Sequence, residues 1–252
     1  MQGAALAAAG RTVRYVPQDV AAVQLSETLA EFARVGMGGN VTMPHKEAVF
    51  VATARPSPLA DRLGAVNTFW HEQGVLCGHN TDVAGVQATL RALCPGGLSG
   101  RPVALLGAGG SAAAALVALE LCGCSEIRVA ARTPDRARAL ADRVRVTIAI
   151  VAHAEAAVDG VALVVNATPV GMRDDLMPVD PTLLPSDAAV FDLVYRRGAT
   201  SWVRAARACG LRADDGLRML VEQGAEAFRV WFDAEPSLDA MWRAVESPET
   251  SS

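Results

Sequence analysis

Short apolar runs alternate along most of the chain with segments whose apolar residues recur at helical spacing. That rhythm predicts a parallel sheet covered by helices on both faces. In the front third, residues 12–16 read as a strand, 25–35 as a helix, 39–42 as a short strand and 46–53 as a helix. Residues 65–70 and 74–77 read as a hairpin, and a helix follows over 82–93. Cys94-Pro95-Gly96-Gly97-Leu98-Ser99-Gly100 is turn-rich and forms the clearest break in the chain. Beyond it, strands are expected at 103–106, 126–130, 146–151, 162–166 and 189–193, with helices at 111–121, 134–144 and 200–209. This is the alternation of a Rossmann-type domain. A long amphipathic helix over 217–232 has an apolar stripe but no strand of its own to cover. A further helix spans 238–245, and the polar end, 246–252, is expected to fray.

With 252 residues, 51% of them hydrophobic, the chain can bury a sizeable core. A formal net charge of −4, with basic residues dispersed, argues against disorder and against electrostatic nucleic-acid binding. No apolar run approaches the roughly 18 residues needed to span a bilayer. The opening Gly3-Ala4-Ala5-Leu6-Ala7-Ala8-Ala9 has no basic residue before it and is followed by Arg11 and Arg14, so it reads as a short helix and not a signal peptide. Five cysteines without paired metal-type spacing read as core thiols in a reducing cytoplasm. His45, His71, His79 and His153 show no ligand spacing, and no metal is implied.

Gly107-Ala108-Gly109-Gly110-Ser111-Ala112 follows an expected strand and opens an expected helix. The pattern Gly-x-Gly-x-x-Ala in that setting is a dinucleotide fingerprint. Gly107 permits a sharp turn, Gly109 lets the backbone approach a pyrophosphate, and the helix contributes its amides and the positive end of its dipole. The next strand ends Ala130-Ala131-Arg132-Thr133-Pro134-Asp135-Arg136. An acidic residue there would hold the ribose 2′-hydroxyl of NAD. Arg132 and Arg136 flanking Thr133 instead suit the 2′-phosphate of NADP. Two solvated arginines at a helix start are the bland alternative, and the glycine loop upstream tips the balance to NADP.

The front segment carries Asn40-Val41-Thr42-Met43-Pro44-His45-Lys46, Gly64-Ala65-Val66-Asn67-Thr68 and Gly78-His79-Asn80-Thr81-Asp82. One lysine and one aspartate, each beside neutral hydrogen-bonders, form a pair that can pass a proton to or from an alcohol while a cofactor exchanges the hydride. Taken singly, Lys46 is also a plain surface lysine, Asp82 a helix cap and Asn67 a turn residue.

Together the motifs resemble the shikimate dehydrogenase family. To the three segments above are added Gly107–Ala112, Ala131-Arg132-Thr133, Asn166-Ala167-Thr168-Pro169-Val170-Gly171-Met172, Phe191-Asp192-Leu193-Val194-Tyr195 and Met219-Leu220-Val221-Glu222-Gln223, in family order along essentially the whole chain. The resemblance implies that Lys46 is the catalytic acid/base with Asp82 as its partner, and that Thr42, Asn67, Tyr195 and Gln223 contact the substrate. It implies that Gly107, Ala108, Gly109, Gly110, Ser111, Ala131, Arg132, Thr133, Arg136, Leu193 and Gly216 line NADP. The fold expected is α/β, a Rossmann-type NADP-binding domain plus a smaller discontinuous α/β substrate domain. Its expected divisions are 1–82 for the first part of the substrate domain, 83–215 for the cofactor domain and 216–252 for helices returning to the substrate domain.

The chain also departs from the family pattern. The family begins with a strand and a Ser-x-Ser-Pro loop that bind the substrate carboxylate, whereas this sequence opens at the helix just after that loop. Losing an interior strand would expose unpaired backbone groups, so a start placed too late is the expectation. Ala131 stands where the family usually has Asn, Arg196 follows Tyr195 where proline is usual, and Arg218 stands where glycine is common.

The expected activity is NADP-dependent interconversion of 3-dehydroshikimate and shikimate by a cytoplasmic monomer or homodimer, with no nucleic-acid or membrane partner. Quinate or aminoshikimate dehydrogenase, or a non-catalytic NADP-binding paralogue, are the alternatives. Methylenetetrahydrofolate dehydrogenases share the two-domain plan, and the Asn-Thr-Asp segment argues against them.

Overall fold

The computed structural model describes residues 1–247, so most of the expected frayed end, 248–252, lies outside the described residues. The chain divides into two compact units, Met1–Thr81 with Gln223 onward, and Asp82–Glu222.

The first unit contains α1 (Gln2–Ala8), α2 (Leu25–Val35), β1 (Gly39–Asn40), α3 (Lys46–Ala52), β2 (Arg55–Pro56), α4 (Pro58–Leu63), β3 (Thr68–Glu72) and β4 (Val75–His79). Its sheet has the order β1-β3-β4-β2. β3 and β4 form an antiparallel hairpin whose two-residue turn, Gln73-Gly74, has φ of 52° and 78°. Positive φ at both positions is the twist-matched hairpin geometry, with glycine at the second. Leu29, Val49, Ala60, Val66 and Phe69 form the core between sheet and helices. Ser57 caps α4 through the Ala60 amide, Pro58 begins it, and Gly64 ends it in the left-handed region.

The second unit contains α5 (Asp82–Leu93), β5 (Pro102–Leu106), α6 (Gly110–Leu121), β6 (Glu126–Ala130), α7 (Pro134–Ala141), β7 (Thr147–Val151), α8 (Ala154–Ala157), β8 (Leu163–Asn166), β9 (Ala189–Asp192), α9 (Ser201–Ala208) and β10 (Arg212–Asp214). Its six strands run in the order β10-β9-β8-β5-β6-β7, all pairs parallel. Val103, Ala104, Leu105, Leu106, Leu163, Val164 and Val165 are all buried, as continuous apolar runs in a sheet covered on both faces must be. The chain reverses direction across the sheet between β5 and β8, the switch point where Rossmann folds bind dinucleotides. α10 (Gly216–Phe232) starts in this unit and ends in the first, and α11 (Leu238–Glu246) follows.

Residues 12–16, expected as a strand, are not one. They make no ladder with any described residue, and Val13, Tyr15 and Val16 are exposed. An apolar alternation becomes a strand only where a neighbour accepts its backbone bonds. β10 was not expected, because the sequence Arg-Ala-Asp on a sheet edge carries no apolar run.

Candidate active site

The carboxyl end of β5 turns at Gly107, with φ 109°. A Cβ there would lie 2.8 Å from the Ala167 carbonyl oxygen at the end of β8, so only glycine lets the two strand ends meet. The loop then enters α6, whose twelve residues aim their first amides back at it. Beside it lies a cavity of about 520 Å³ lined by Gly107, Ala108, Gly109, Ala131, Arg132, Thr133 and Arg136 from the first two strand ends. His153 and Glu155 from the turn after β7, with Thr168, Pro169 and Val170 after β8, complete the wall. A glycine-rich turn, a helix N-terminus and two guanidinium groups in one cavity fit the diphosphate and 2′-phosphate of NADP. Gly110 and Ser111 are the first residues of α6, beyond that lining.

Leu193 and Gly216, also expected at the cofactor, lie together at the end of β9 and not on that cavity. A Cβ on Gly216 would overlap the Leu193 carbonyl oxygen, and the Gly216 amide donates to Val194 O at 3.1 Å. Asp192, fully buried at the end of β9, accepts from Asn166 Nδ2 and Thr200 Oγ1 at 2.8 Å each and from the Val194 amide at 3.1 Å. Burial pushes its carboxyl up to about 6, against the pull of those three donors. Burial also raises Asp215, which accepts from the Leu217 amide at 3.0 Å. Tyr195, on the loop after β9, is half exposed.

Two of the residues expected at the substrate, Asn67 and Gln223, belong to one polar network within the first unit. Asn67 Oδ1 accepts from the Thr81 amide at 2.8 Å and from Thr68 Oγ1 at 3.0 Å, and its Nδ2 donates to Thr81 Oγ1 at 3.0 Å. Thr81 Oγ1 in turn reaches Gln223 Oε1 at 3.3 Å, and Asn40 Nδ2 donates to Thr68 Oγ1 at 3.0 Å. Asn67, Thr68 and Thr81 are buried, so each bond replaces lost water. Lys46 opens α3, half-buried, and its carbonyl accepts from the Val66 amide at 3.0 Å, next to Asn67. Thr42 lies on the turn before the cis Met43–Pro44 peptide. Asp82 follows Thr81 directly and is buried in the first turn of α5, where the helix dipole favours a carboxylate.

The expected site residues therefore fall into two sets. Thr42, Lys46, Asn67 and Gln223 belong to the first unit, and Asp82, Tyr195 and all the cofactor candidates to the second. Reading the sequence missed His153 and Glu155 on the cavity wall, because no local pattern marks the turn after a third Rossmann strand. Asn166, Thr168 and Asp192 lie within the family motifs, and nothing local to them signals a role. The two histidines beside the front motifs have structural partners: His45 Nε2 lies 2.8 Å from Val20 O, and His79 Nδ1 lies 2.6 Å from Ser57 Oγ. Burial lowers the His79 pKa. Among the described residues no cluster of metal-ligating groups occurs, and no helix is long and apolar enough to cross a membrane.

Residues 1–69 match the shikimate dehydrogenase substrate binding domain, 216–246 the shikimate 5′-dehydrogenase C-terminal domain, and 102–180 the NADP oxidoreductase coenzyme F420-dependent family. The shikimate dehydrogenase (NADP(+)) of Mesorhizobium japonicum is 43% identical over 92% of this chain and 84% of its own. The chain belongs to the shikimate dehydrogenase family. Among solved structures, the Aquifex aeolicus shikimate dehydrogenase superposes with a TM-score of 0.90 at 30% identity, covering 98% of this chain and 91% of that one. Shikimate 5-dehydrogenase of Thermus thermophilus, in complex with NADP(H) and shikimate, gives 0.86 at 37% identity, covering 96% and 92%. Quinate dehydrogenase of Corynebacterium glutamicum, in complex with NAD, gives 0.85 at 32% identity, covering 97% and 92%.

Proposed function

We propose that this shikimate dehydrogenase family member interconverts 3-dehydroshikimate and shikimate with NADP(H). The observation that carries the cofactor half is the cavity in which Arg132, Thr133 and Arg136 face the Gly107–Gly109 turn. The substrate half rests on relatives of that activity spanning nearly all of the chain.

NADP, when bound, supplies the hydride acceptor or donor. In this reading the Lys46 amine moves the proton at the substrate's reacting oxygen, and Asp82 is its partner, orienting the substrate hydroxyls. Thr42, Tyr195 and Gln223 contact the substrate. Asn67 contacts it as well, and its carboxamide oxygen also fixes Thr81 and Thr68. Gly110, Ser111, Leu193 and Gly216 join the cavity residues around the cofactor. Residues 1–82 and 216–252 form the substrate domain and 83–215 the cofactor domain. We place the protein in the cytoplasm as a monomer or homodimer without nucleic-acid or membrane partners, a reading supported by its net charge of −4 and its five free cysteines.

The likeness to a quinate dehydrogenase favours one second reading, that the chain oxidises quinate with NAD. Steady-state kcat/KM for shikimate and quinate, each with NADP+ and NAD+, separates the two. Shikimate with NADP+ is expected to be the preferred pair, and quinate with NAD+ as the preferred pair would overturn the proposal.

A further inference from the structure

The buried Asp192 lies beyond the lining of the nucleotide cavity, yet its three hydrogen bonds lead to the Thr168–Val170 turn on that cavity and to the loop carrying Tyr195. Toward the cofactor it holds Asn166 Nδ2. The same carboxamide's Oδ1 accepts from the Thr168 amide at 3.0 Å and Thr168 Oγ1 at 2.6 Å, and its Nδ2 also reaches Val170 O at 3.3 Å. Thr168 and Val170 line the cavity. On its other side it holds the Val194 amide and Thr200 Oγ1, which bracket the loop carrying Tyr195, the proposed substrate contact. Each group in this network has its donors and acceptors assigned, so removing the carboxylate strands buried donors on two loops at once.

We propose that Asp192 is a positioning residue for both ligands, fixing the Thr168–Val170 turn against the cofactor through Asn166 and the Tyr195 loop through Val194 and Thr200. The proposal rests on the reading of the chain as an NADP-dependent dehydrogenase. A carboxamide at this position can keep the three contacts, moving only one hydroxyl hydrogen and adding one N–H. Its oxygen accepts from Asn166 and Val194, and its nitrogen donates to a Thr200 hydroxyl that turns round to accept beside the Val203 amide. A methyl group can do neither.

The test compares Asp192→Ala, Asp192→Asn, Thr200→Val and Val190→Ala with the wild type, each well below its melting temperature. NADPH dissociation constants, KM and kcat for shikimate, and melting temperatures are measured for all. Asp192→Ala is expected to raise both the NADPH dissociation constant and the shikimate KM by about tenfold or more. Asp192→Asn is expected to stay within about threefold of the wild type. Thr200→Val is expected to raise the shikimate KM several-fold with little change for NADPH. Val190→Ala, a cavity in the same buried strand, is expected to lower the melting temperature and leave both constants alone. Wild-type ligand constants in Asp192→Ala, or equal damage in Asp192→Asn, would overturn the proposal. Should Asp192→Ala fail to fold, an unchanged shikimate KM in Thr200→Val overturns it instead. A wild-type protein that neither binds NADPH nor oxidises shikimate would overturn the functional reading, a distinct failure.

Discussion

Lys46 starts α3 with its carbonyl tied to the Val66 amide, so its backbone is fixed next to the buried Asn67 network. As the proposed acid–base group it is worth what a positioned proton donor is worth. Lys46→Ala should cut turnover by about two to four orders of magnitude while leaving NADPH affinity nearly unchanged, as measured by steady-state kinetics and fluorescence titration. Arg132 serves the other ligand. Its loss should weaken NADPH by about tenfold to a hundredfold and NADH much less, since only the former carries the 2′-phosphate. Equal losses would assign Arg132 a structural role. Asp192 adds a pH signature to stability. Its folded carboxyl keeps a proton up to about 6, whereas the unfolded chain releases it near 3.8, so the folded state binds more protons between those values. The stability this contributes is complete below the lower value and is lost as pH rises through the upper one, on the order of 3 kcal/mol in all. Urea unfolding across that range should show the wild type losing stability relative to Asp192→Asn as pH rises. Parallel curves would show that the carboxyl is not held above its ordinary value.

Elements whose signals are local were legible in the sequence. The strand, glycine turn and helix around Gly107 declare themselves within a dozen residues, and so do the arginines at the end of the next strand. Residues 12–16 mislead because their alternation is genuine and only the hydrogen-bonding neighbour is missing among the described residues. α4 escapes a reading by periodicity, although Ser57, Pro58 and Gly64 spell its start and stop, because six residues carry too little of it. The Asp192 network is invisible for another reason: Asn166 meets Asp192 only through the parallel pairing of β8 with β9, and Thr200 reaches it across the loop between β9 and α9. Element contacts also grade the glycines. At Gly216 an added Cβ meets the Leu193 backbone, which cannot give way, whereas at Gly224 its nearest neighbours are the flexible ends of Met1 and Met241. Gly216→Ala should therefore lower stability and cofactor affinity together, and Gly224→Ala should do markedly less to either. Thermal melts and NADPH titration of both variants check this, and a harmless Gly216→Ala would refute the close approach.

At the scale of the whole molecule, the sequence motifs are spread over two compact units, with the parallel six-stranded sheet in one and the four-stranded sheet in the other. The fold class was readable from rhythm alone, since alternating strands and helices leave few other architectures. The expected division of labour between the units comes only from the family resemblance, because neither Lys46 nor Asp82 has a local pattern that separates a catalyst from a helix-start residue. The central claim is a hydride passed directly between nicotinamide and the substrate's carbinol carbon, with the proton handled by the protein. The most direct measurement supplies the purified protein with 3-dehydroshikimate and NADPH deuterated at the transferable position, then reads the product by mass spectrometry and NMR. Shikimate carrying one deuterium at the newly formed carbinol carbon is expected. Shikimate without label, or no product at all, would contradict it.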